Sequence, residues 1–253
     1  MTRFETFAVA GMPMVMPGDD LPALILQTLA TAGEQLIDGD VVCVAQKIVS
    51  KAENQLVPLA SVTPSVAALK LAQQTDKDPR LVELVLQESD EVLRHKLGVL
   101  IVRHRLGIVG ANAGIDQSNV DHGDGEVALL LPKDPDASAA RIRRALETAC
   151  NVRLGVLITD SHNRPWRMGT VGSAIGCAGL NVLDDHRGGE DMYGRELKVT
   201  LINRADALAS AATLVMGETT EAKPLAIVRG LPFDDPQQSA RDIVRPLADD
   251  LFR

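Results

Sequence analysis

Short apolar runs alternate along the chain with longer segments that carry apolar residues at helical spacing, which is typical of alternating strands and helices. We predict strands over residues 4–9, 40–45, 99–102, 127–131, 156–159, 198–202 and 224–228. We predict helices over residues 21–36, 64–96 in two pieces broken near 76–79, 135–150 and 206–216. The predicted fold class is therefore α/β with mixed, α+β-like sheets, in one continuous unit that leaves room for a smaller subdomain as an excursion.

A glycine-rich apolar run, residues 169–179, follows the strand predicted at 156–159. The run is not a Walker A phosphate loop, because no Gly-Lys-Ser/Thr ends it, and close packing of backbones is the better explanation of its glycines. The overlapping apolar run, residues 171–180, carries too little polarity to face water. We expect it to be covered either by a partner subunit in a homodimer or by the chain's own core.

Composition narrows the class of protein. Hydrophobic residues make up 45% of the 253 residues, aromatic residues only 2%, and the net charge is −8. An acidic chain with few stacking side chains is not expected to bind nucleic acid. Since neither a signal peptide nor an apolar run of membrane-spanning length occurs, a cytoplasmic location without a membrane partner is expected. Cys43, Cys150 and Cys177 are widely spaced and are interpreted as reduced core residues.

The candidate chemistry is concentrated in residues 110–120, which read G-A-N-A-G-I-D-Q-S-N-V. Small residues let a backbone approach a ligand closely, and Asp116 and Asn119 offer a carboxylate and an amide on one turn. This composition is typical of a metal-and-phosphate site. A tight loop with an Asx-turn explains the same residues equally well, so both interpretations stay open.

A second carboxylate, Asp160, follows the strand predicted at 156–159, with a hydroxyl beside it at Ser161. Sites in α/β proteins form at the carboxyl ends of strands, where side chains from neighbouring strands converge. We therefore predict that Asp116 and Asp160 bind the same metal cluster.

Two lysines and a histidine complete the candidates. Lys47 and Lys51 lie just past the strand predicted at 40–45 and are candidates for binding phosphate, with solvated lysines at a strand end as the alternative. His122 lies in an acidic turn and is interpreted as an exposed turn histidine rather than a metal ligand, because no second imidazole lies at a ligand spacing.

Ordered motifs along nearly the whole chain resemble the coenzyme F420-0:L-glutamate ligase family. The matching blocks are G-D-V-V-C-V-A-Q-K-I-V-S-K-A-E, A-N-A-G-I-D-Q-S-N-V, L-L-L-P-K-D-P-D-A-S-A, residues 160–167, A-I-G-C-A-G-L, D-M-Y-G-R-E-L, and L-V-M-G-E with I-V-R-G-L. The resemblance implies an enzyme that joins L-glutamate to the phospholactate tail of coenzyme F420-0 through an acyl phosphate, with further gamma-glutamyl additions as an option. GTP is implied as a substrate, Mg²⁺ or Mn²⁺ as cofactor and K⁺ as a further ion. An intertwined homodimer is implied, with one ligase domain over residues 1–253 and no fused reductase domain.

The resemblance also implies roles for individual residues. The implied metal ligands are Asp116, Asp160, Ser161 and Glu218, and the implied catalytic residues are Asp116, Asp160 and Lys51. The implied nucleotide-binding residues are Met12, Pro13, Met14, Val15, Gln46, Lys47, Lys51, Asn119, Met216, Gly217, Glu218, Thr219, Thr220, Glu221, Ala222 and Lys223. Candidates for holding substrate carboxylates or phosphate by bidentate contacts are Arg164, Arg167 and Arg195.

The sequence departs from the family pattern at two pairs of residues. His162-Asn163 replaces a more usual Asn-Gly or Gly-type turn, which bears on loop geometry, and Gly189-Glu190 replaces a more basic pair, which bears on substrate choice. Two other functions use the same carboxylates: a metal-dependent phosphohydrolase and a nucleotide-binding regulator without turnover. A ligase acting on a folate-type acceptor would use the same activation. Glutamate-dependent release of phosphate from GTP separates a ligase from the first two.

Overall fold

The computed structural model describes residues 3–123, 125–163, 167–232 and 238–251. Its strands are β1 (Glu5–Ala8), β2 (Val41–Ala45), β3 (Leu56–Pro58), β4 (Ser89–Lys96), β5 (Val99–His104), β6 (Val109–Ala111), β7 (Val127–Leu129), β8 (Gly155–Asn163), β9 (Thr170–Ala178), β10 (Leu183–Asp185), β11 (Leu201–Asn203) and β12 (Leu225–Arg229). Its helices are α1 (Leu21–Ala32), α2 (Gln46–Ala52), α3 (Val66–Thr75), α4 (Pro79–Gln87), α5 (Pro135–Cys150) and α6 (Arg204–Met216), with 3-10 turns at Leu59–Ser61, Asn112–Gly114, Ala240–Ile243 and Leu247–Asp249. The α/β class with several sheets is confirmed.

The chain divides into two compact units, and the first comprises residues 1–14, 20–46 and 134–243. Its five-stranded sheet has the order β1-β12-β2-β8-β9, in which only β2 and β8 run parallel. Helix α6 packs its buried Leu208 and Ala212 against Leu157 of β8 and Cys177 of β9. The central strands are buried on both sides, which explains why they read as continuous apolar runs.

The second unit comprises residues 15–19, 47–133 and 244–253. It contains a three-stranded antiparallel sheet, β4-β5-β6, and a two-stranded antiparallel pair, β3-β7. Strand β5 alternates in burial, and its buried Leu100 and Val102 pack with Val82 and Val85 of helix α4. The period-two pattern is that of a strand with one face on the core.

Most predicted elements are confirmed, with shifts at their ends. Helix α5 has the predicted bounds, and Asp20 caps α1 by accepting a hydrogen bond from Ala23 N at 3.1 Å. Helix α1 ends earlier than predicted, at Ala32, because Gly33 takes a left-handed conformation with φ 73°.

The helical prediction for residues 89–96 is wrong. Those residues form strand β4, which pairs with β5 through a tight hairpin at Gly98, where φ is 76°. Helix-forming residues such as Glu91, Leu93 and Arg94 continue the pattern of α4 without a Gly or Pro between them. Cross-strand pairing with β5 overrides this local preference.

The glycine-rich run forms β9 and is buried by the chain's own core from Gly172 onward. A Cβ on Gly172 would lie 2.3 Å from Ala209 O of α6, and one on Gly176 would lie 2.4 Å from Pro135 C of α5. A register shift in the β8–β9 pair at Ile158 turns the two glycines toward opposite helices. Close backbone packing is therefore the correct explanation, and the expectation that a partner subunit covers this run is wrong.

The sequence also predicts reduced core cysteines and no membrane-spanning segment. Cys43, Cys150 and Cys177 are free, and burial raises the pKa of Cys43 and of Cys177 to about 12, so both thiols stay protonated at neutral pH. Cys150 is only half-buried. Within the described ranges, no helix is long and apolar enough to cross a membrane.

We predict that Gly172→Ala and Gly176→Ala each lower the free energy of unfolding by about 2 kcal/mol or more, because each added methyl group enters a helix backbone. Gly125→Ala is the matched control, since its Cβ would meet no described atom within 4 Å. Urea denaturation followed by circular dichroism measures the three variants. Stabilities of both core variants equal to that of the control would contradict the packing argument.

Candidate functional site

Helix α2 carries two lysines, one turn apart, onto the loop that contains Asp116. Lys47 Nζ lies 2.6 Å from Asp116 Oδ2 and donates a hydrogen bond to Ser118 Oγ at 2.9 Å. Lys51 Nζ donates to the main-chain oxygen of Asn119 at 2.8 Å. Residues four apart share one face of a helix, so both ammonium groups reach the same loop. The structure thus brings together four of the predicted site residues within the second unit.

Main-chain hydrogen bonds hold the loop in place at Asp116. Asp116 and Leu129 exchange two main-chain hydrogen bonds, at 3.1 and 2.8 Å, as an isolated bridge next to β7. Asp116 Oδ1 accepts a hydrogen bond from Ser118 N at 2.7 Å, which is the expected Asx-turn. The Asx-turn uses one carboxylate oxygen and leaves the other directed at a cation, so the two interpretations of this loop describe different atoms of one side chain.

The charges of the site act on one another. Burial by itself would raise the pKa of Asp116, but the hydrogen bonds from Lys47 and Ser118 and the charge of Lys47 outweigh it and hold that pKa below its ordinary value. Burial lowers the pKa of Lys51, the charge of Lys47 lowers it further, and Asp121 opposes the shift. Asp116 therefore remains a carboxylate at neutral pH, and the ammonium of Lys51 would gain from a nearby anion.

The turn before Asp116 is strained, which the sequence interpretation missed. Asn112 and Ala113 both have left-handed backbones, with φ 52° and 55°, and Asn119 follows with φ 55°. The side-chain oxygen of Asn112 is buried without a hydrogen-bond partner among the described residues. Gly114 also has positive φ, and its Cβ would meet Leu131 Cδ1 at 2.9 Å. Left-handed non-glycine residues are uncommon and concentrate at functional sites, and the only signal in the sequence was an Asn placed between two alanines.

In the first unit, Asp160 lies inside β8 rather than at its end, because pairing with β9 extends the strand to Asn163. Asp160 Oδ2 lies 3.3 Å from Nε2 of the buried His162, and Asp160 Oδ1 accepts a hydrogen bond from Ser161 N at 2.9 Å. The His162-Asn163 pair therefore stands in a strand in this chain and not in a turn.

Glu218 follows α6 and accepts a hydrogen bond from Thr170 Oγ1 at 2.8 Å. Thr170 pairs with Asn163 across β8 and β9, and the pleat places Asn163 and Asp160 on opposite faces of the sheet. Met216 is buried, while residues 217–223 are all exposed.

The other predicted binding residues differ in exposure. Gln46 and Val15 are buried, Met12 is half-buried, and Pro13 and Met14 are exposed. Met12 Sδ lies 3.4 Å from Thr28 Oγ1, whose proton is donated to Leu24 O at 2.7 Å.

The predicted arginines and His122 of the acidic turn differ in exposure. Arg167 and Arg195 are exposed, and Arg164 lies outside the described residues. His122 is half-buried rather than exposed: its Nδ1 accepts a hydrogen bond from Val127 N at 3.1 Å, and its Nε2 lies 3.0 Å from Gln117 O. His122 thus closes its own loop, which is a structural role.

Asp116 and Asp160 do not lie at the ends of strands of one sheet, contrary to the expectation. Strand β5, which was predicted to lead to Asp116, and strand β8, which contains Asp160, belong to different sheets in different units, so the two carboxylates do not meet at one sheet edge. In the described part of the chain, no group of three His, Cys, Asp or Glu side chains is arranged to hold a metal ion. That the two carboxylates share an ion remains a prediction.

Comparison with known proteins decides the family. The profile of the F420-0:Gamma-glutamyl ligase family matches residues 11–230. The chain belongs to this family. It is 45% identical to the coenzyme F420:L-glutamate ligase of Methanothermobacter thermautotrophicus over 97% of both chains. It is also 46% identical to the protein of that name from Methanopyrus kandleri over the full length of both. The Methanocaldococcus jannaschii ligase of the same name is 41% identical over 85% of each chain.

Asp116→Asn should lower the free energy of unfolding at pH 7 by up to about 1 kcal/mol, the upper range for a partly exposed ion pair. The folded pKa of Asp116 is lowered, so its contribution is present above the unfolded pKa of about 3.9 and is lost as pH falls through the folded pKa. Urea denaturation of both proteins at pH 7 and at the acid limit of folding measures this. A stability difference that grows on acidification would contradict the ion pair.

Proposed function

We propose that this member of the family is a GTP-dependent ligase that forms an amide bond between L-glutamate and the phospholactate tail of coenzyme F420-0. The names of the relatives support the choice of substrates. The pairing of Lys47 with Asp116, beside Lys51, supports phosphoryl chemistry, because it combines ammonium groups for phosphate with a carboxylate for a cation. We also propose that the enzyme is cytoplasmic, acts on small molecules, and binds neither nucleic acid nor a membrane.

The proposed chemistry follows from the poor reactivity of a carboxylate toward an amine. An oxygen of the tail's carboxylate attacks the γ-phosphorus of GTP, and GDP leaves. The amino group of glutamate then attacks the acyl carbon, loses a proton, and phosphate departs with the oxygen that carried it. Lys51 and Lys47 are assigned to the phosphates, because phosphoryl transfer needs positioning and charge neutralisation more than covalent help. Further gamma-glutamyl additions would repeat the two steps on the new carboxylate.

The chain's oxygen donors fit a hard divalent cation such as Mg²⁺ or Mn²⁺. Asp116 Oδ2 already holds a cation, the ammonium of Lys47, at 2.6 Å. We propose Asp116, Asp160, Ser161 and Glu218 as the ligands, all of which are hard oxygen donors. A bound ion would neutralise charge on the transferring phosphoryl group, and K⁺ is kept as a further candidate ion.

The remaining residues of the proposal hold the ends of the substrates. We assign the exposed residues 217–223, Pro13 and Met14 to the nucleotide, together with the half-buried Met12 and the buried Val15 and Gln46. Asn119, whose main-chain oxygen binds Lys51, is assigned to the nucleotide as well. Arg167 and Arg195 are assigned to carboxylate or phosphate groups of the acceptor, since both guanidinium groups are exposed.

Incubation with GTP, Mn²⁺, L-glutamate and coenzyme F420-0, followed by mass spectrometry of the coenzyme, tests the function. The expected product gains one or more glutamyl residues, and phosphate appears only when glutamate is present. Phosphate release without glutamate would favour a phosphohydrolase, and no turnover with tight GTP binding would favour a regulator. Glutamylation of a folate instead of coenzyme F420-0 would overturn the acceptor. Asp116→Asn is the control that should remain folded and inactive.

Lys51→Met should weaken GTP binding about tenfold or more and lower turnover, while stability is unchanged or slightly increased. The folded pKa of Lys51 is lowered by burial and by Lys47, so the charged side chain opposes folding at neutral pH. Isothermal titration with a non-hydrolysable GTP analogue measures binding, and thermal unfolding measures stability. Wild-type affinity in the folded variant would contradict the assignment of Lys51 to phosphate.

We propose a homodimer, supported by the segment that links β10 to β11. Met192 and Tyr193 are 94% and 88% exposed, Val199 is 84% exposed, and Leu201 and Ile202 of β11 are almost half exposed. Large apolar side chains so close together along the chain favour a protein partner. Light scattering should give twice the 27.0 kDa chain mass. Val199→Lys with Ile202→Lys should shift the mass to one chain, and an active wild-type monomer would contradict the proposal.

A further inference from the structure

Both carboxylate oxygens of Asp116 are occupied by donors of the chain itself. Oδ1 accepts from Ser118 N at 2.7 Å, and Oδ2 accepts from Lys47 Nζ at 2.6 Å. The same ammonium also donates to Ser118 Oγ at 2.9 Å and approaches the main-chain oxygen of Ser118 at 3.4 Å. An ammonium has three donors, and these three oxygens can satisfy them all. The ammonium of Lys47 therefore occupies the position at which a metal cation would bind Asp116 Oδ2.

We propose that Lys47 is a built-in competitor for the cation site at Asp116: a divalent ion displaces its ammonium from Oδ2, and the released ammonium turns to the nucleotide phosphates. The inference rests on the proposed function and assigns Lys47 a step there, as the residue that couples metal binding to nucleotide binding. No covalent bond changes in this exchange. One salt bridge is replaced by two new charge pairs.

Like charges make the exchange necessary. A divalent ion on Oδ2 would stand next to the ammonium of Lys47, and repulsion between two cations at contact distance disfavours that state strongly when both are partly desolvated. Lys47 and Asp116 have side-chain exposures of 27% and 35%, so water screens the pair incompletely. Both the rate and the affinity of ion binding are therefore limited by the displacement of Lys47 from Oδ2.

A nucleotide gives Lys47 a second partner. A phosphate oxygen can accept the hydrogen bonds that Asp116 and Ser118 accept in this structure, which lowers the cost of vacating Oδ2. Each ligand then binds more tightly in the presence of the other, because coupling between two sites is reciprocal. Loading metal without nucleotide is held back, so the site assembles fully when both are present.

Lys51 is the matched control on the same helix. Its ammonium donates to the main-chain oxygen of Asn119 and interacts with the charge of Asp121, whereas among the described residues Asp116 forms its ion pair with Lys47. Removing Lys51 deletes one positive charge from the same face of α2 but leaves the counter-ion of Asp116 in place. A difference between Lys47 and Lys51 variants in metal affinity is thus specific to occupation of Oδ2.

The first test titrates the nucleotide-free protein with Mn²⁺ and counts free ion by electron paramagnetic resonance. Lys47→Met should bind Mn²⁺ at least about fivefold more tightly than wild type, the factor equivalent to an ion pair of about 1 kcal/mol. Lys47→Arg keeps a cation beside Asp116 and should stay within about twofold of wild type. Lys51→Met should gain less than Lys47→Met, since only the general charge has changed.

The second test follows Lys47 directly by amine acetylation and peptide mass spectrometry of the wild type. Mn²⁺ alone should increase labelling of Lys47 and leave Lys51 unchanged, and a non-hydrolysable GTP analogue added with Mn²⁺ should then protect Lys47. Circular dichroism confirms that the variants are folded.

The outcomes separate this inference from the proposed function. If wild type binds Mn²⁺ and Lys47→Met binds it equally well or more weakly, the competitor role is overturned and the proposed metal site stands. A gain in Lys47→Met that persists when Asp116→Asn is added also overturns it, because the ion would then lie elsewhere. Absence of Mn²⁺ binding in wild type and in Lys47→Met alike overturns the proposed metal dependence itself.

Discussion

The ion pair between Lys47 and Asp116 is the interaction on which the candidate site depends. It joins helix α2 to a loop that is anchored on its other side by the bridge between Asp116 and Leu129. Asp116 remains a carboxylate at pH 7, since the hydrogen bonds from Lys47 and Ser118 and the charge of Lys47 outweigh burial and hold its pKa below the ordinary value. The cost of the strained turn at Asn112 and Ala113 is offset by this anchoring and by the core beneath it. The strained turn and the charged side chain of Asp116 thus lie in one short segment of a well-packed unit.

A different constraint shapes the first unit. Helices α5 and α6 approach β9 so closely that only glycine fits at two positions, and a bulge directs these glycines to opposite sides. This packing fixes the strand that pairs with Asp160 and helix α6, which ends at Met216, two residues before Glu218. A carboxylate on a rigid strand, such as Asp160 on β8, keeps its position better than one on a free loop.

Much of this architecture was predictable from local pattern. The apolar run before Gln46 predicted a central strand, and Pro135 was the predicted first residue of α5, because such signals act within a few residues. Strand β4 escaped prediction because its identity depends on pairing with β5 and not on its own helix-forming residues.

The residues of the candidate site could be selected from the sequence by type, but their contacts could not be predicted. Asp116, Lys47 and Lys51 were recognised by residue type, but which oxygen meets which ammonium depends on a loop folding back over 69 residues (116 minus 47). The assumption that Asp116 and Asp160 follow strands of one sheet failed because sheet membership is a long-range property. The buried oxygen of Asn112 had no sequence signal beyond its position in the loop.

The central claim is that the acceptor's carboxylate is phosphorylated before the amine attacks. Coenzyme F420-0 labelled with oxygen-18 in both oxygens of its lactate carboxylate tests this most directly, with mass spectrometry of the phosphate released in the presence of GTP and glutamate. The account predicts one oxygen-18 atom in each phosphate, because the attacking oxygen leaves with phosphorus. Phosphate without the label, formed while glutamate is incorporated, would contradict it.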